Sequence, residues 1–539
     1  MKGRPPTAER TFTSKLVEDK LQAILLQIKD PQVAAVFSQC WLSTLDTTVF
    51  AHDGDLKEKD HSKARPTTWI ITGDIPASWL RDSASQVSAY LPLLSTPSTS
   101  SHDWTALYRL ILGTVYTQAS CILLHPFSNA FIPPTSTVKS DNSDRVHPPP
   151  PLEVEEEDTV NKGKKKHPKP RTPPHIRVWE SKYELDSLAS FLSLSASLMR
   201  SSHRVDPLYN SSWREAVRLV IRVCRLQQRG TDEEAELLGA PWLGPKRPKK
   251  DEEEEEVGEW SWKGEGRYEG RDGVYRFERE TQAGSETRSL GGLGEPARRC
   301  GLIKSAFRPS DDATVLPFLI PSNAFLSVGA LSLAEIIDEA LDSSGEELEA
   351  EAVKELRTMS VELSELGEEV KEAVWREGVV SVRNEERIEE KVFAYEVDGF
   401  GSHLIADDAN LPSLLSLPFL GFLPSSDSTY VATRKLVLSS RNKWFFKGKM
   451  GEGVGGMHIG EGFVWPMSII TRALTSDDDE EILDCLSTLK STTAGTGFMH
   501  ESFHVSDAKN FTRSWFAWAN GLMGQLVLKL AEERPDLLR

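Results

Sequence analysis

Apolar residues recur at i, i+3 and i+4 in seven segments of the chain, and that spacing predicts helices. The segments are "SKLVEDKLQAILLQI", "DWTALYRLILGTVYTQAS", "LDSLASFLSLSASLM", "NAFLSVGALSLAEIIDEAL", "SIITRAL", "DEEILDCLSTLKS" and "SWFAWANGLMGQLVLKLAEE". A further stretch, "EELEAEAVKELRTMSVELSELGEEVKEAVWREG", sets leucines and valines at helical spacing among acidic residues, which predicts an exposed amphipathic helix. Strand-like alternation is confined to short pieces such as "VFAYEV". Polar loops bearing Gly, Pro, Asp, Arg, His and Trp separate the helical segments. About a dozen helices joined by such loops predict an all-α toroid or solenoid and not a parallel α/β sheet. No clean fixed-period repeat is visible, which weighs against the open solenoid.

Two stretches break the pattern. Residues 134–176 contain "HPPPPLEVEEEDTVNKGKKKHPKPRTPPH", and residues 228–299 contain "GPKRPKKDEEEEEVGEW" and many glycines. Both are too polar to offset their ordering entropy, so they are expected to be mostly disordered, dispensable insertions.

Composition narrows the partners. At 539 residues the chain can bury a large core. The net charge of −18 argues against nucleic acid and anionic membranes, whose phosphates favour basic surfaces, and favours a neutral substrate. The five cysteines, Cys40, Cys121, Cys224, Cys300 and Cys485, are far apart and lack a C-x-x-C, which indicates neither a disulfide scaffold nor a thiolate metal site. The opening residues lack the apolar core of a secretory signal, and no stretch reads as long and apolar enough to span a bilayer. The chain is therefore expected to be soluble and monomeric, with its compartment undetermined. Sequons occur at Asn210 and Asn510.

The chemistry sits in the loops. "TGDIPASWLRDS" brings Asp74, Trp79, Arg81 and Asp82 together just before an apolar run. Five other segments repeat this mixture of carboxylates with aromatics, Asn, Arg or His: "KYELDSLASF", "FRPSDDATVLPFLIPSNAF", "YEVDGFGSHLIADDANLPSLL", "GEGFVWPMSII" and "GTGFMHESFHVSDAKNFTRSWFAWANG". Sugar binding unites them. Carboxylates, Asn and Arg take the hydroxyls on a sugar's rim, while Trp or Tyr stacks on its C–H face. Hydrolysis of a glycosidic bond then needs two carboxyl groups in different protonation states. Each feature also has a plainer role: an Arg–Asp pair can be a surface ion pair, a Trp can be core, and Asp311–Asp312 and Asp407–Asp408 can cap the apolar runs that follow them.

Two histidines raise the alternative of a metal. "HESFH" matches H-E-x-x-H at His500 and His504, but its polar context lacks the helix that would aim both rings at one zinc, and no third ligand is near in sequence. The paired aspartates lack calcium-loop spacing. No metal or cofactor is expected.

Together the motifs closely resemble glycoside hydrolase family 125: "TGDIPASWLRDS", "YELDSL", "FRPSDDA…LPFLIPSN", "YEVDGFG…DDANLPSLLSLPFLG", "FVWPMSI" and "HESFHVSDAKNFTRSWFAWANG". The resemblance runs over one domain, residues 11–539, interrupted by the two insertions. It implies an (α/α)6 barrel and an exo-acting, inverting α-1,6-mannosidase acting on a mannose-containing oligosaccharide or glycan. It further implies Asp186 as general acid and Glu501, 315 positions later, as general base. Arg81 and Asp82 would grip the terminal mannose, with Trp79, Arg308, Asp311, Asp407, Asp408, Asn410 and Trp465 in subsite roles. Ser78, Ser506 and Ala508 depart from the residues usual in these motifs, and their positions beside the motif carboxylates could tune affinity. A related barrel glycosidase on another sugar, or a non-catalytic carbohydrate-binding protein of the same fold, are the rival expectations.

Overall fold

The computed structural model describes residues 3–53, 65–95, 102–140, 143–150, 176–237, 274–344, 348–383 and 386–539. Among these the chain is mostly helical, with small antiparallel sheets of two or three strands. The helices with sustained apolar spacing form as expected, at Lys15–Leu25, His102–Leu124, Leu185–Ser202, Ile320–Ser344, Ala350–Gly378, Pro466–Leu474, Asp479–Ser491 and Ala517–Glu533. Others were not anticipated: Pro31–Cys40, Leu80–Ser88, Ser211–Gln227 and Ser428–Val437. Several start on side-chain caps. Asp30 accepts from Gln32 N (2.8 Å) and Val33 N (3.2 Å) ahead of Pro31 at the first helical position. Asn210, one of the two sequon asparagines, is buried and accepts from Trp213 N at 3.0 Å, so in the folded chain it is a helix cap.

The helices pack in two layers. Helix Leu80–Ser88 lies between Leu185–Ser202 and Ala517–Glu533; Leu185–Ser202 packs on Ile320–Ser344, and Ala517–Glu533 on Pro466–Leu474. Outside them, His102–Leu124 covers Leu185–Ser202, Ala350–Gly378 covers Ile320–Ser344, Asp479–Ser491 covers Pro466–Leu474, and Pro31–Cys40 covers Ala517–Glu533. Ala350–Gly378 is amphipathic as its spacing requires. Leu356, Leu363, Leu366, Val370 and Val374 are buried along one side, against Ile320–Ser344. The two helices approach so closely that a Cβ at Gly367 would lie 2.7 Å from Leu331.

Two sequence expectations need correction. His102–Leu124 and Ile320–Ser343 are long and apolar enough, by composition, to cross a membrane; in this fold both are mostly buried, because they pack against helices on several sides. The insertions are also narrower than 134–176 and 228–299. Arg145–His147 pairs with Arg276–Glu278, and Thr231–Leu237 is helical. Val274, Tyr275 and Phe277 are buried. Tyr275 stacks on Phe127 at 5.6 Å, receives a hydrogen bond from Tyr183 N at 3.1 Å and donates to Ser181 O at 2.6 Å. Phe277 packs edge-on against Phe307 at 4.8 Å. These few apolar side chains provide burial that the composition of the whole stretch conceals. Residues 151–175 and 238–273 of the expected insertions lie outside the described residues.

Candidate active site

A short strand leads into a helix at three places, and two of these junctions deliver cavity residues. Ser78–Trp79 pairs with Ala130–Ile132, which pairs with Arg177–Glu180, and helix Leu80–Ser88 follows at once. Trp79 is thus held in extended conformation, with Arg81 and Asp82 in the first helical turn. Phe318–Leu319 leads into Ile320–Ser344 in the same way. Phe463–Val464 pairs with Ser502–His504, which sets Trp465, at the start of Pro466–Leu474, near Glu501.

Arg81 is the electrostatic centre. Its Nη1 donates to Glu184 Oε2 at 2.7 Å and to Asp186 Oδ2 at 3.1 Å, its Nη2 lies 3.3 Å from Asp82 Oδ2, and the guanidinium sits 4.8 Å over the Trp518 ring. One buried cation cannot neutralise three carboxyls. Burial therefore pushes Asp82 up to about 6 against the pull of Arg81, and it raises Asp186 against the same pull. Burial also drives Glu184 well above the carboxylate range, helped by the charges of Asp186 and Asp311. Asp311 moves the other way: burial opposes its charge, but Lys182, Arg81, His458 and a hydrogen bond with Glu184 hold it below the ordinary value. Of this pair, Glu184 is pushed toward its neutral form and Asp311 is held toward its charged form. Asp311 is also held at a φ of 69°, in a region that non-glycine residues seldom occupy.

Arg81, Asp82 and Asp311 border a cavity that opens to solvent. Seven of the eleven expected site residues line it: Trp79, Arg81, Asp82, Asp311, Asn410, Trp465 and Glu501. Asp82 Oδ2, Asp311 Oδ1 and the indole N–H groups of Trp79 and Trp465 are buried and make no hydrogen bond within the protein. Buried polar atoms left in that condition are costly, and a ring of donors and acceptors around an opening suits a hydroxyl-rich ligand.

The other four expected residues stand behind the wall. Asp186 is fully buried and bonded to Arg81, with Ser322 Oγ 3.4 Å from its other oxygen. Arg308 donates to Glu396 Oε1 at 2.6 Å, while Glu396 Oε2 accepts from Val315 N and Leu316 N, both at 2.9 Å. Asp407 accepts from Leu414 N (2.8 Å) and Leu415 N (3.0 Å), a capping role at a turn. Asp408 accepts from Ser310 Oγ at 3.0 Å and from Asn410 Nδ2 at 3.1 Å, which fixes two cavity residues. The capping role considered for Asp311–Asp312 is replaced by a tight turn: Arg308 N donates to Asp312 O, and Asp311 N to Arg308 O.

Sequence reasoning did not single out His458, Ser310, Arg513, Phe516 or Trp518, all of which line the cavity. Arg513, Phe516 and Trp518 lay within a quoted motif, without a spacing to distinguish them. His458 sits in "GVGGMHIG", which carries no carboxylate or aromatic to mark it. Its Nδ1 is 3.9 Å from Asp312 Oδ1; burial opposes its charge, but Asp312, Asp311 and Glu501 raise it to about 9, which favours its charged form beside these carboxyls. Within "HESFH", Ser502–His504 is a strand, His500 stacks on Phe511 at 3.9 Å, and His504 lies edge-on to Phe463 at 5.2 Å. Among the described residues no group of three or more His, Cys, Asp or Glu side chains is disposed to hold a metal ion. The departures Ser78, Ser506 and Ala508 are not part of the cavity lining.

Comparison with known proteins agrees with this chemistry. Over residues 30–528 the chain matches the family described as metal-independent alpha-mannosidase (GH125). It is 40% identical to the meiotically up-regulated gene 157 protein of Schizosaccharomyces pombe, across 99% of this chain and 89% of that one. It also superposes on a solved Streptococcus pneumoniae structure with a TM-score of 0.72 and 28% identity, covering 97% of this chain and all of the other. That structure is described as a metal-independent alpha mannosidase in a non-productive complex with alpha-1,6-mannobiose. The chain belongs to glycoside hydrolase family 125, the metal-independent α-mannosidases.

Proposed function

We propose that the protein is an exo-acting, inverting α-mannosidase that releases terminal α-1,6-linked mannose from an oligosaccharide or glycan, with Asp311 as general acid and Glu501 as general base. The observation that carries this reading is that Asp311 and Glu501 line one cavity together, walled by Arg81, Asp82 and two tryptophans with free indole N–H groups. Asp186, the acid implied by sequence resemblance, is sealed behind Arg81 and outside that lining, so it is assigned to holding Arg81. The linkage rests on the α-1,6-mannobiose bound by the Streptococcus pneumoniae relative.

In this mechanism a proton carried by Glu184 passes to Asp311 and on to the glycosidic oxygen as that bond breaks, leaving Glu184 ionised. Glu501 takes a proton from the water that attacks the anomeric carbon from the opposite face. An inverting pair needs room for that water, so the two carboxyl groups should stand ~6.5–9.5 Å apart in the complex. Arg81 and Asp82, with the tryptophans, grip the terminal sugar. The same reading includes the (α/α)6 barrel. Its support is the two-layer packing and the start of four helices, Leu80–Ser88, Leu185–Ser202, Pro466–Leu474 and Ala517–Glu533, at one site.

Incubation with α-1,6-, α-1,3- and α-1,2-mannobiose and a panel of aryl glycosides tests the assignment. Free mannose from the α-1,6 isomer, with little from the others or from glucosides, is the expected result. Preference for a glucoside, or no turnover of any substrate, would overturn it.

A further inference from the structure

We propose that Arg513, locked in place by Asp74, is the positioning residue of Glu501, and that Asp74 acts on catalysis through Arg513. This inference rests on Glu501 being the base.

The geometry is specific. Arg513 Nε donates to Asp74 Oδ2 at 2.9 Å and its Nη2 bonds Asp74 Oδ1, a two-pronged grip that fixes the guanidinium plane. The remaining nitrogen, Nη1, then reaches Glu501 Oε1 at 3.3 Å, and the Phe516 ring supports the group from 4.6 Å. Asp74 and Arg513 are 439 positions apart in sequence, and both segments are held in unusual conformations. Arg513 has a φ of 43°, in the left-handed region that disfavours a side chain. Gly73, beside Asp74, has a φ of 123°, and a Cβ there would lie 2.6 Å from the Trp515 ring. Trp515 is itself pinned by a 2.9 Å hydrogen bond to Ser43 Oγ.

Stability does not explain this arrangement. The Asp74 side chain is 45% exposed, and an ion pair so open to water contributes little to folding. A strained arginine serving such a pair is better explained by what its third contact does, because strain is tolerated where function requires a fixed geometry. The third contact is the base. A general base works only if its lone pair meets the attacking water at the right angle, and Arg513 sets the carboxylate plane that presents it. Asp74, conspicuous in sequence but outside the cavity lining, thereby gains a role.

The test is steady-state kinetics of the full chain carrying Arg513→Ala, Arg513→Lys, Asp74→Ala or the Asp74→Ala/Arg513→Ala pair, with Glu501→Gln as reference. Arg513→Ala should lower kcat at least ~10-fold, toward the ~10²-fold cost of a displaced catalytic group, with a smaller change in KM. The loss should appear on α-1,6-mannobiose and on α-mannosyl fluoride alike, since water activation is needed for either leaving group. Added guanidinium at sub-denaturing concentration should restore part of kcat, which a merely structural defect would not allow. Arg513→Lys should fall between wild type and Arg513→Ala. Asp74→Ala should lose less, and nothing further in the Arg513→Ala background, because a residue acting through another is not additive with it. Normal kcat in Arg513→Ala or Arg513→Lys beside an inactive Glu501→Gln would overturn this inference alone. An active Glu501→Gln would overturn the assignment of the base itself.

Discussion

Asp311 and Asp186 offer two candidate proton donors, and their surroundings make opposite demands. Asp311 reaches the cavity and lies beside Glu184, which burial pushes toward its neutral form; Asp186 is bonded to Arg81. Asp311→Asn should cost at least ~10²-fold on α-1,6-mannobiose and far less on α-mannosyl fluoride, whose leaving group needs little protonation. Asp186→Asn should weaken both substrates in parallel, by loosening the grip on Arg81. The reverse pattern, measured by kcat on the two substrates, would return the acid role to Asp186. His458 supports a second residue-scale prediction, from linkage. Its folded value of about 9 lies above the ordinary 6.5, so its stabilisation is fully present below pH 6.5 and is lost as pH rises through 9. The gap in Tm between wild type and His458→Gln should be widest near pH 6 and should close toward pH 10. A gap that widens with pH would show that the imidazolium is not the stabilising form.

At the scale of elements, the sequence is legible where packing is apolar and obscure where it is polar. His102–Leu124 and Ile320–Ser344 announce themselves by continuous apolar spacing. Leu80–Ser88 does not, because it is short and buries polar Arg81, Asp82, Ser83 and Gln86 beside its few apolar residues, so burial does not follow hydrophobicity. Ser211–Gln227 is a different case. Trp213, Val217, Val220 and Cys224 carry the period openly, and its cap at Asn210 was visible as a sequon. The strand Arg276–Glu278 was hidden by averaging: Tyr275 and Phe277 are core residues inside a stretch rich in charge and glycine. Phe277→Ala should therefore cost ~3–5 kcal/mol in urea denaturation, as for a core aromatic. A cost below ~1 kcal/mol would restore this segment to the dispensable insertions. Glu396 tests the wall behind the cavity. Its replacement by Ala strands the buried Arg308 charge and should destabilise by ~3–5 kcal/mol.

For the whole molecule, the motifs in the loops conveyed the site better than the helices conveyed the fold. Arg, Asp and Glu are scarce in a packed interior, so their clustering beside aromatics stands out in sequence. Which of them meet across hundreds of residues depends on packing that no local pattern encodes. The Asp74–Arg513 pair and the approach of His458 to Asp312 are examples. As a member of a family of metal-independent enzymes, the protein should keep full activity after exhaustive EDTA treatment; loss with rescue by Ca²⁺ or Zn²⁺ would contradict that expectation. The central claim is that Asp311 and Glu501 act from opposite sides of the glycosidic bond on a terminal α-1,6-linked mannose. Proton NMR of α-1,6-mannobiose during the first minutes of hydrolysis tests it most directly. The β anomer of the released mannose is expected to appear before mutarotation. α-Mannose appearing first would mean retention, and no water-activating role for Glu501 in a single displacement could then stand.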